Sequence, residues 1–289
     1  MRLFLLAASA LLLRVPPGHT FVVVSCGKQN SFASRLERIF KVGSDGIITQ
    51  DMDFGFIFDL IFPPVCLACS GRTLREEALC ADCRSKINFY GTLFCGRCGA
   101  RLPVVASAKS GLPTVKKICH LDHPYILGAA MNYHEPQVEA LIKALKFGRA
   151  KNAAMFLGIS LANYIEPIGL PLDEYLVAPV PLGKERRRER GFNQAELIAE
   201  CLARKLGLPL ESRALSRYKN TLPQSSIRSH KERLSNVTGA FVADKNVTEG
   251  KNIILIDDVT TSGATFYEAA GALKSAGARK IIALAAAKA

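Results

Sequence analysis

The sequence predicts an α/β chain in which a small cysteine-rich module precedes a parallel, doubly wound sheet. Three observations predict it. Six of the nine cysteines form three Cys-x-x-Cys pairs, Cys66/Cys69, Cys80/Cys83 and Cys95/Cys98. From residue 125 onward, strand-forming and helix-period segments alternate with short connections. One apolar run, Ile253 to Ile256, ends in two adjacent carboxylates and a loop of Thr, Ser and Gly. With 49% hydrophobic and 22% charged residues, the 289-residue chain can bury a core for about two domains. Wholesale disorder is excluded. The net charge of +13 favours polyanionic partners, either phosphorylated metabolites or nucleic acid.

The amino-terminal stretch admits two readings. Residues 3–13 form an apolar run of eleven, too short to span a bilayer and broken by Arg14, Pro16 and Pro17. It has the look of a signal-peptide core, and Val23-Val24-Ser25-Cys26 passes for a lipoprotein cleavage box. The alternative is an extension without a folded role, with translation starting at Met52. Residues 25–51 are rich in Ser, Gly and Lys, lack a period and read as a linker. The expected organisation is therefore an extension over 1–51, a metal-binding module over 52–123 and an α/β domain over 124–289. The free thiols and the phosphate chemistry below suit a cytoplasmic protein without a stable membrane span.

Residues 66 to about 123 carry little apolar periodicity, so this module needs a staple to close. Residues 125–133 read as a strand. The segment 136–148 places Val138, Leu141, Ile142 and Leu145 on one helical face, with Pro136 in the first turn. A second helix is expected over 150–165. Tyr175 to Val180 reads as a buried strand, 181–192 as a charged loop, and Asn193 to Leu206 as a helix closed by Gly207. Lys251 to Ile256 is a strongly β-forming run, followed by a helix over about 264–276 and a last strand over 280–285.

Asp257 and Asp258 then fall at the carboxyl end of a strand, where open α/β sheets bind ligands. The residues after them lead into a helix amino terminus, whose N–H groups and dipole favour an anion. Carboxylates for hydroxyls beside loop amides for phosphate describe a site for a phosphate beside a diol. No Gly-x-x-x-x-Gly-Lys-Ser/Thr sequence occurs, which gives no support to an ATPase of that class.

This segment resembles the phosphoribosyl-pyrophosphate (PRPP) motif of type I phosphoribosyltransferases. The resemblance implies that Asp257 and Asp258 hold the ribose hydroxyls and that Thr260, Thr261, Ser262, Gly263, Ala264 and Thr265 cradle the 5′-phosphate. It also implies Mg²⁺ accompanying the pyrophosphate. Between residues 184 and 190 five basic and two acidic residues follow the strand ending at Val180. There Arg186, Arg187 and Arg190 are candidates for the pyrophosphate. The string Pro179-x-Pro181 through Arg190-Gly191-Phe192-Asn193-Gln194 resembles the ComF (competence protein F) family signature. Arg217, Thr221, Gln224, Arg228, Arg233, Asn236 and Gly239-Ala240-Phe241 match that family's spacing. Related enzymes close a loop such as 217–230 over the reaction centre.

Cys66-x-x-Cys69 and Cys80-x-x-Cys83 have the spacing of a zinc ribbon holding structural Zn²⁺ through four thiolates. Cys95-x-x-Cys98 makes a third knuckle. The resemblance implies a fourth, where this chain has Cys119-His120-Leu121-Asp122-His123. A second site from Cys95, Cys98, Cys119 and His123 and an incomplete site both remain open. Cys201, inside an expected helix, reads as a small buried hydrophobe. Taken together, the resemblance implies a type I phosphoribosyltransferase-like domain carrying a zinc-ribbon module. The same resemblance implies that the chain binds PRPP with Mg²⁺ and acts in phosphoribosyl transfer or in DNA uptake. The alternative is a non-catalytic competence factor that binds single-stranded DNA or a partner such as a DNA-uptake helicase, its PRPP site sensing or vestigial.

Overall fold

A computed structural model describes residues 40–42, 48–50, 63–106, 113–115, 119–148, 150–218 and 239–289. The chain divides into compact units at residues 1–63 and 64–289. In the first unit, β1 (Phe40–Val42) and β2 (Ile48–Gln50) pair antiparallel, with Phe40 opposite Gln50. A short hairpin thus lies in the stretch read as a linker. The apolar run 3–13 and Met52 lie outside the described residues.

The second unit is built on a six-stranded sheet. Its strands are β3 (Leu93–Cys95), β4 (Arg101–Leu102), β7 (Ile126–Asn132), β8 (Tyr175–Pro179), β11 (Asn252–Thr260) and β12 (Lys280–Lys288). The spatial order is β4-β3-β7-β12-β11-β8, and the last four run parallel. Two antiparallel pairs lie outside it: β5 (Val104–Ala106) with β6 (Pro113–Val115), and β9 (Leu215–Arg217) with β10 (Phe241–Ala243). The helices are α1 (Ala81–Ser85), α2 (Pro136–Phe147), α3 (Lys151–Ile165), α4 (Lys184–Arg190), α5 (Gln194–Leu206), α6 (Lys245–Thr248) and α7 (Ala264–Ser275).

The branched runs form central strands because both faces of the sheet are covered. Ile254, Ile256, Ile282 and Leu284 pack with Leu141, Leu157, Leu161 and Ile198 of α2, α3 and α5. Ile253, Leu255, Ile281 and Ala283 pack on the opposite face with Phe266, Ala269 and Leu273 of α7. Such alternation is the period-2 geometry of a strand buried on both sides. α3 and α5 approach so closely that a Cβ on Gly158 would lie 2.5 Å from the Cβ of Cys201. Cys201 is thus a packing residue at a helix crossing. The Asn193 side chain caps α5 by accepting from Ala195 N, and its amide donates to Val180 O at 3.0 Å. Gly207, at φ +67°, closes that helix.

Three elements differ from the sequence reading. β11 continues through Thr260 because Val259 and Thr260 still pair with Ala287 and Lys288, so the acid pair lies inside the strand. β12 runs to Lys288 for the same reason. Residues 184–190, expected as loop, form the helix α4, closed by Gly191 at φ +79°. Arg, Lys and Glu are good helix formers, and a charged segment one turn from a cap folds locally. The cysteine-rich region also joins the sheet. β3 pairs with β7, with Phe94 opposite Leu127 and Cys95 opposite Ile126, so residues on both sides of position 123 share one ladder.

Candidate phosphate site and cysteine groups

The acid pair sits at the carboxyl end of β11. Asp258 is 7% exposed, and its Oδ2 lies 2.8 Å from Lys146 Nζ in the last turn of α2. Burial works against the Lys146 charge, but the pairing with Asp258 holds its pKa above the ordinary lysine value. Asp257 is pushed up to about 7, first by loss of hydration and then by the neighbouring Asp258 charge. Each aspartate also accepts a backbone N–H at 2.8 Å, Asp258 N to Asp257 Oδ1 and Val259 N to Asp258 Oδ1.

Around these carboxylates the fold gathers cations from separate elements. Burial and then the Arg190 charge lower the pKa of Arg186, which also feels Asp257. Burial and then Arg186 do the same to Arg217, again beside Asp257. Arg217 is placed by β9, its guanidinium 5.2 Å from the Phe241 ring across the β9–β10 pair. Arg190 stands 5.6 Å from the ring of Phe147, the residue after Lys146. Mutual repulsion among partly desolvated cations is the condition an incoming polyanion relieves.

The loop after β11 supplies the other half. Gly263 caps α7 with φ +75°, a left-handed conformation that favours glycine. A Cβ there would also lie 2.8 Å from Tyr125 Oη. Thr260 and Ala264 are buried, Thr261 is exposed, and Ser262, Gly263 and Thr265 are partly buried. Ser262 Oγ accepts from Ala264 N at 3.4 Å. The loop therefore opens onto the amino terminus of a twelve-residue helix. Gly263→Val should strain this backbone and collide with Tyr125. PRPP affinity, read by calorimetry, is expected to fall at least about tenfold, the effect of roughly 1.4 kcal/mol, while the zinc content of the purified chain, before any chelator challenge, matches the parent's.

Of the candidates in the basic segment, Arg186 and Arg190 belong to this cation set. Arg187 instead pairs with Glu196 of α5 at 3.3 Å. Arg186→Ala or Arg190→Ala should consequently weaken pyrophosphate binding by about tenfold, and Arg187→Ala by far less. Equal losses in the three variants would contradict that placement. Lys146 joins the site without having been singled out, and Arg217, noted for its match to the family spacing in a covering loop, joins it from β9. Lys146 follows the apolar face of α2 as any solvated lysine would, so only the fold exposes its role. Thr221, Gln224, Arg228, Arg233 and Asn236 lie outside the described residues.

The cysteines gather into two groups, each with ligand atoms within 4.8 Å of one another. The first is Cys66, Cys69, Cys80 and Cys83; Cys69 Sγ lies 3.7 Å from Cys80 Sγ. The second is Cys95, Cys98, Cys119 and His120, with Cys98 Sγ 3.4 Å from Cys119 Sγ and Cys95 Sγ 3.4 Å from His120 Nδ1. His120, not His123, thus completes the second group. His123 lies instead against the Tyr125 ring, centroids 4.5 Å apart. Two histidines in five residues offered equal ligand chemistry, and only the turn over 120–123 separates them.

The donor sets fit a soft divalent cation. Burial opposes the Cys66 thiolate, yet the N–H groups of Cys69, Cys80 and Ala68 bring its pKa down to about 6. Burial and the surrounding sulfurs then push Cys83 up to about 12. Cys95 at about 6 and Cys119 at about 11 repeat the pattern; burial opposes the Cys95 thiolate while backbone N–H groups stabilise it, and the neighbouring Cys95 and Cys98 sulfurs raise Cys119. One thiolate is prepared in each group, and Cys83 and Cys119 are held protonated beside it until a cation compensates, which is what tetrahedral zinc supplies. Among the described residues no helix is long and apolar enough to cross a membrane.

Residues 57–120 match the double zinc ribbon domain, and residues 193–289 match the phosphoribosyl transferase domain. The chain is 30% identical over 225 residues to Competence protein F of Haemophilus influenzae, covering 75% of this chain and 93% of that protein. It is 31% identical over 210 residues to Competence protein ComFC of Bacillus subtilis, covering 70% and 80%. It is 29% identical over 221 residues to DNA utilization protein YhgH of Escherichia coli, covering 75% and 87%.

Proposed function

The chain belongs to the competence protein F family, and from that premise we propose that its β11–α7 site binds PRPP with Mg²⁺ within a role in DNA handling. The observation carrying this reading is the convergence of Lys146, Arg186 and Arg217 on the Asp257/Asp258 pair. That pair lies near the carboxyl end of β11, two residues before the loop that leads into α7. In this reading the two carboxylates accept hydrogen bonds from the ribose diol. The loop from Thr260 to Thr265 holds the 5′-phosphate at the start of α7. Arg186, Arg190 and Arg217 face the pyrophosphate, and Lys146 orients Asp258 through their ion pair. Mg²⁺ neutralises pyrophosphate oxygens when bound with the ligand. Transfer of the ribosyl group from C1 to an acceptor would release pyrophosphate, its developing positive charge stabilised by fixed carboxylates and phosphate. The two cysteine groups are read as structural zinc sites, since each gathers four protein donor atoms that would leave no position open on a tetrahedral ion.

A second reading is supported by the net charge of +13 and by the competence and DNA-utilization names of the relatives. Here the chain binds single-stranded DNA or an uptake partner and the PRPP site senses rather than catalyses. Calorimetric titration of the full chain separates the two. PRPP with Mg²⁺ is one arm, and a single-stranded oligonucleotide over a salt series is the other. Binding of PRPP alone supports the enzyme, binding of the oligonucleotide alone supports the uptake factor, and binding of both supports a sensing site on a DNA-binding protein.

A further inference from the structure

We propose that Tyr125 couples the second cysteine–histidine group to the phosphate loop, so that metal at one and a phosphorylated ligand at the other stabilise each other. This rests on reading the β11–α7 loop as a phosphate site. Tyr125 immediately precedes β7 and is 4% exposed. Its hydroxyl lies 3.4 Å from Gly96 O and 3.3 Å from Gly263 O. Gly96 stands between two members of the cysteine–histidine group, Cys95 and Cys98, while Gly263 caps α7. A phenol has one proton, so the two carbonyls share it, and both must hold position for it to be shared.

Packing makes the same link without the hydrogen bonds. A Cβ on Gly96 would lie 2.5 Å from Tyr125 Cε2 and 2.5 Å from His123 Nε2. A Cβ on Gly263 would lie 2.8 Å from Tyr125 Oη. The Tyr125 ring also packs on Phe266, centroids 6.0 Å apart, and His123 stacks between Tyr125 and Tyr267 at 4.5 and 5.5 Å. Phe266 and Tyr267 belong to the first turn of α7 that presents the loop amides. Tyr125 is therefore a strut with no room for a methyl group at either end. Close-packed contacts transmit a displacement instead of absorbing it. When the group lacks its ion, the segment 95–98 loses its anchor, and Tyr125 conveys that freedom to Gly263. Linkage requires the converse, that ligand on the loop slows metal loss. His123, which is not brought to the ligand set, acquires a role here as the spacer between the two rings.

The test uses the zinc-loaded full chain and a zinc-selective chelator, with zinc transfer followed by a metallochromic dye and PRPP–Mg²⁺ as probe. PRPP should slow zinc release from the second group in the parent chain by about fivefold or more. Tyr125→Phe keeps the ring and removes the hydroxyl; this protection should shrink severalfold while the thermal midpoint stays near that of the parent. Gly263→Val should accelerate release without any ligand present, which tests the link independently of PRPP. Accelerated release in Gly263→Val together with no calorimetric PRPP binding by the parent would leave the strut standing and remove the phosphate reading. Normal PRPP binding with identical zinc release in the parent, Tyr125→Phe and Gly263→Val would overturn the coupling.

Discussion

The Asp257→Asn, Asp258→Asn double variant is expected to bind PRPP at least about 100-fold more weakly than the parent chain. In the proposed site each carboxylate would accept from the ribose diol a charge-assisted hydrogen bond of about 1.5–3 kcal/mol, and every 1.4 kcal/mol is about tenfold in affinity. Asp257→Asn alone has an opposite effect on the ligand-free fold. Asp257 has a folded pKa of about 7 against an ordinary value of 3.8. The folded chain therefore holds a proton that the unfolded chain has released, and stability falls as pH rises between those two values. Below 3.8 the penalty vanishes, and above about 7 it is fully present. Asp257→Asn alone should thus raise the thermal midpoint at pH 8 relative to the parent and make no comparable difference near pH 4. A site that is costly to the empty protein and repaid by its ligand is the signature of function at that position. If the single variant were destabilised at pH 8, or if the double variant bound PRPP like the parent, the assignment of the acid pair would fail.

What the sequence disclosed and what it withheld divide along locality. The run Ile253 to Ile256 and the face of Val138, Leu141, Ile142 and Leu145 announce their elements because periodicity is written within a few residues. The loop from Thr260 to Thr265 announces its chemistry for the same reason. The extension of β11 through the acid pair does not, because it depends on Ala287 and Lys288 of β12. Nor does Lys146, which acquires its role only when α2 ends beside Asp258. Arg187 illustrates the converse. It has the same neighbours in sequence as Arg186, but the helical turn of α4 directs it to Glu196 on α5. A basic segment read as a loop cannot distinguish those arginines, whereas one read as a helix sorts them by face. The choice between His120 and His123 was equally beyond spacing, since both stand within reach of Cys119 along the chain.

Loss of the first cysteine group should have the largest effect of all on folding. Cys66 and Cys83 are buried with Ala78 and Leu79 in the same core that holds Leu141, Leu157 and Leu161. The knuckle thus belongs to one face of the sheet and is not an appendage. Its backbone is tied in as well, with Asn152 of α3 donating to Glu77 O at 3.3 Å. Yet among the described residues its regular structure is the five-residue helix α1 and the bridge of Val65 with Arg72, supplemented by backbone bonds such as Cys66 N to Gly71 O and Leu67 N to Ala78 O. Metal binding therefore has to supply the ordering, and for structural zinc that is worth about 10–16 kcal/mol in small isolated modules. That is as large as the whole stability of most single domains, about 5–15 kcal/mol, so even a modest share of it is a large fraction of what holds the fold. Cys66→Ser with Cys69→Ser should release the zinc of this group, lower the thermal midpoint by well over 10 °C and expose apolar surface from the α3 side of the sheet. The partner experiment uses Cys98→Ser with Cys119→Ser. Their side chains are exposed and the second group is held by the β3–β7 ladder through Cys95, so metal loss there should cost less stability. Full zinc content in the Cys66/Cys69 variant would refute the ligand assignment. Equal destabilisation by the two double variants would refute the claim that the first group is the one on which this face of the core depends.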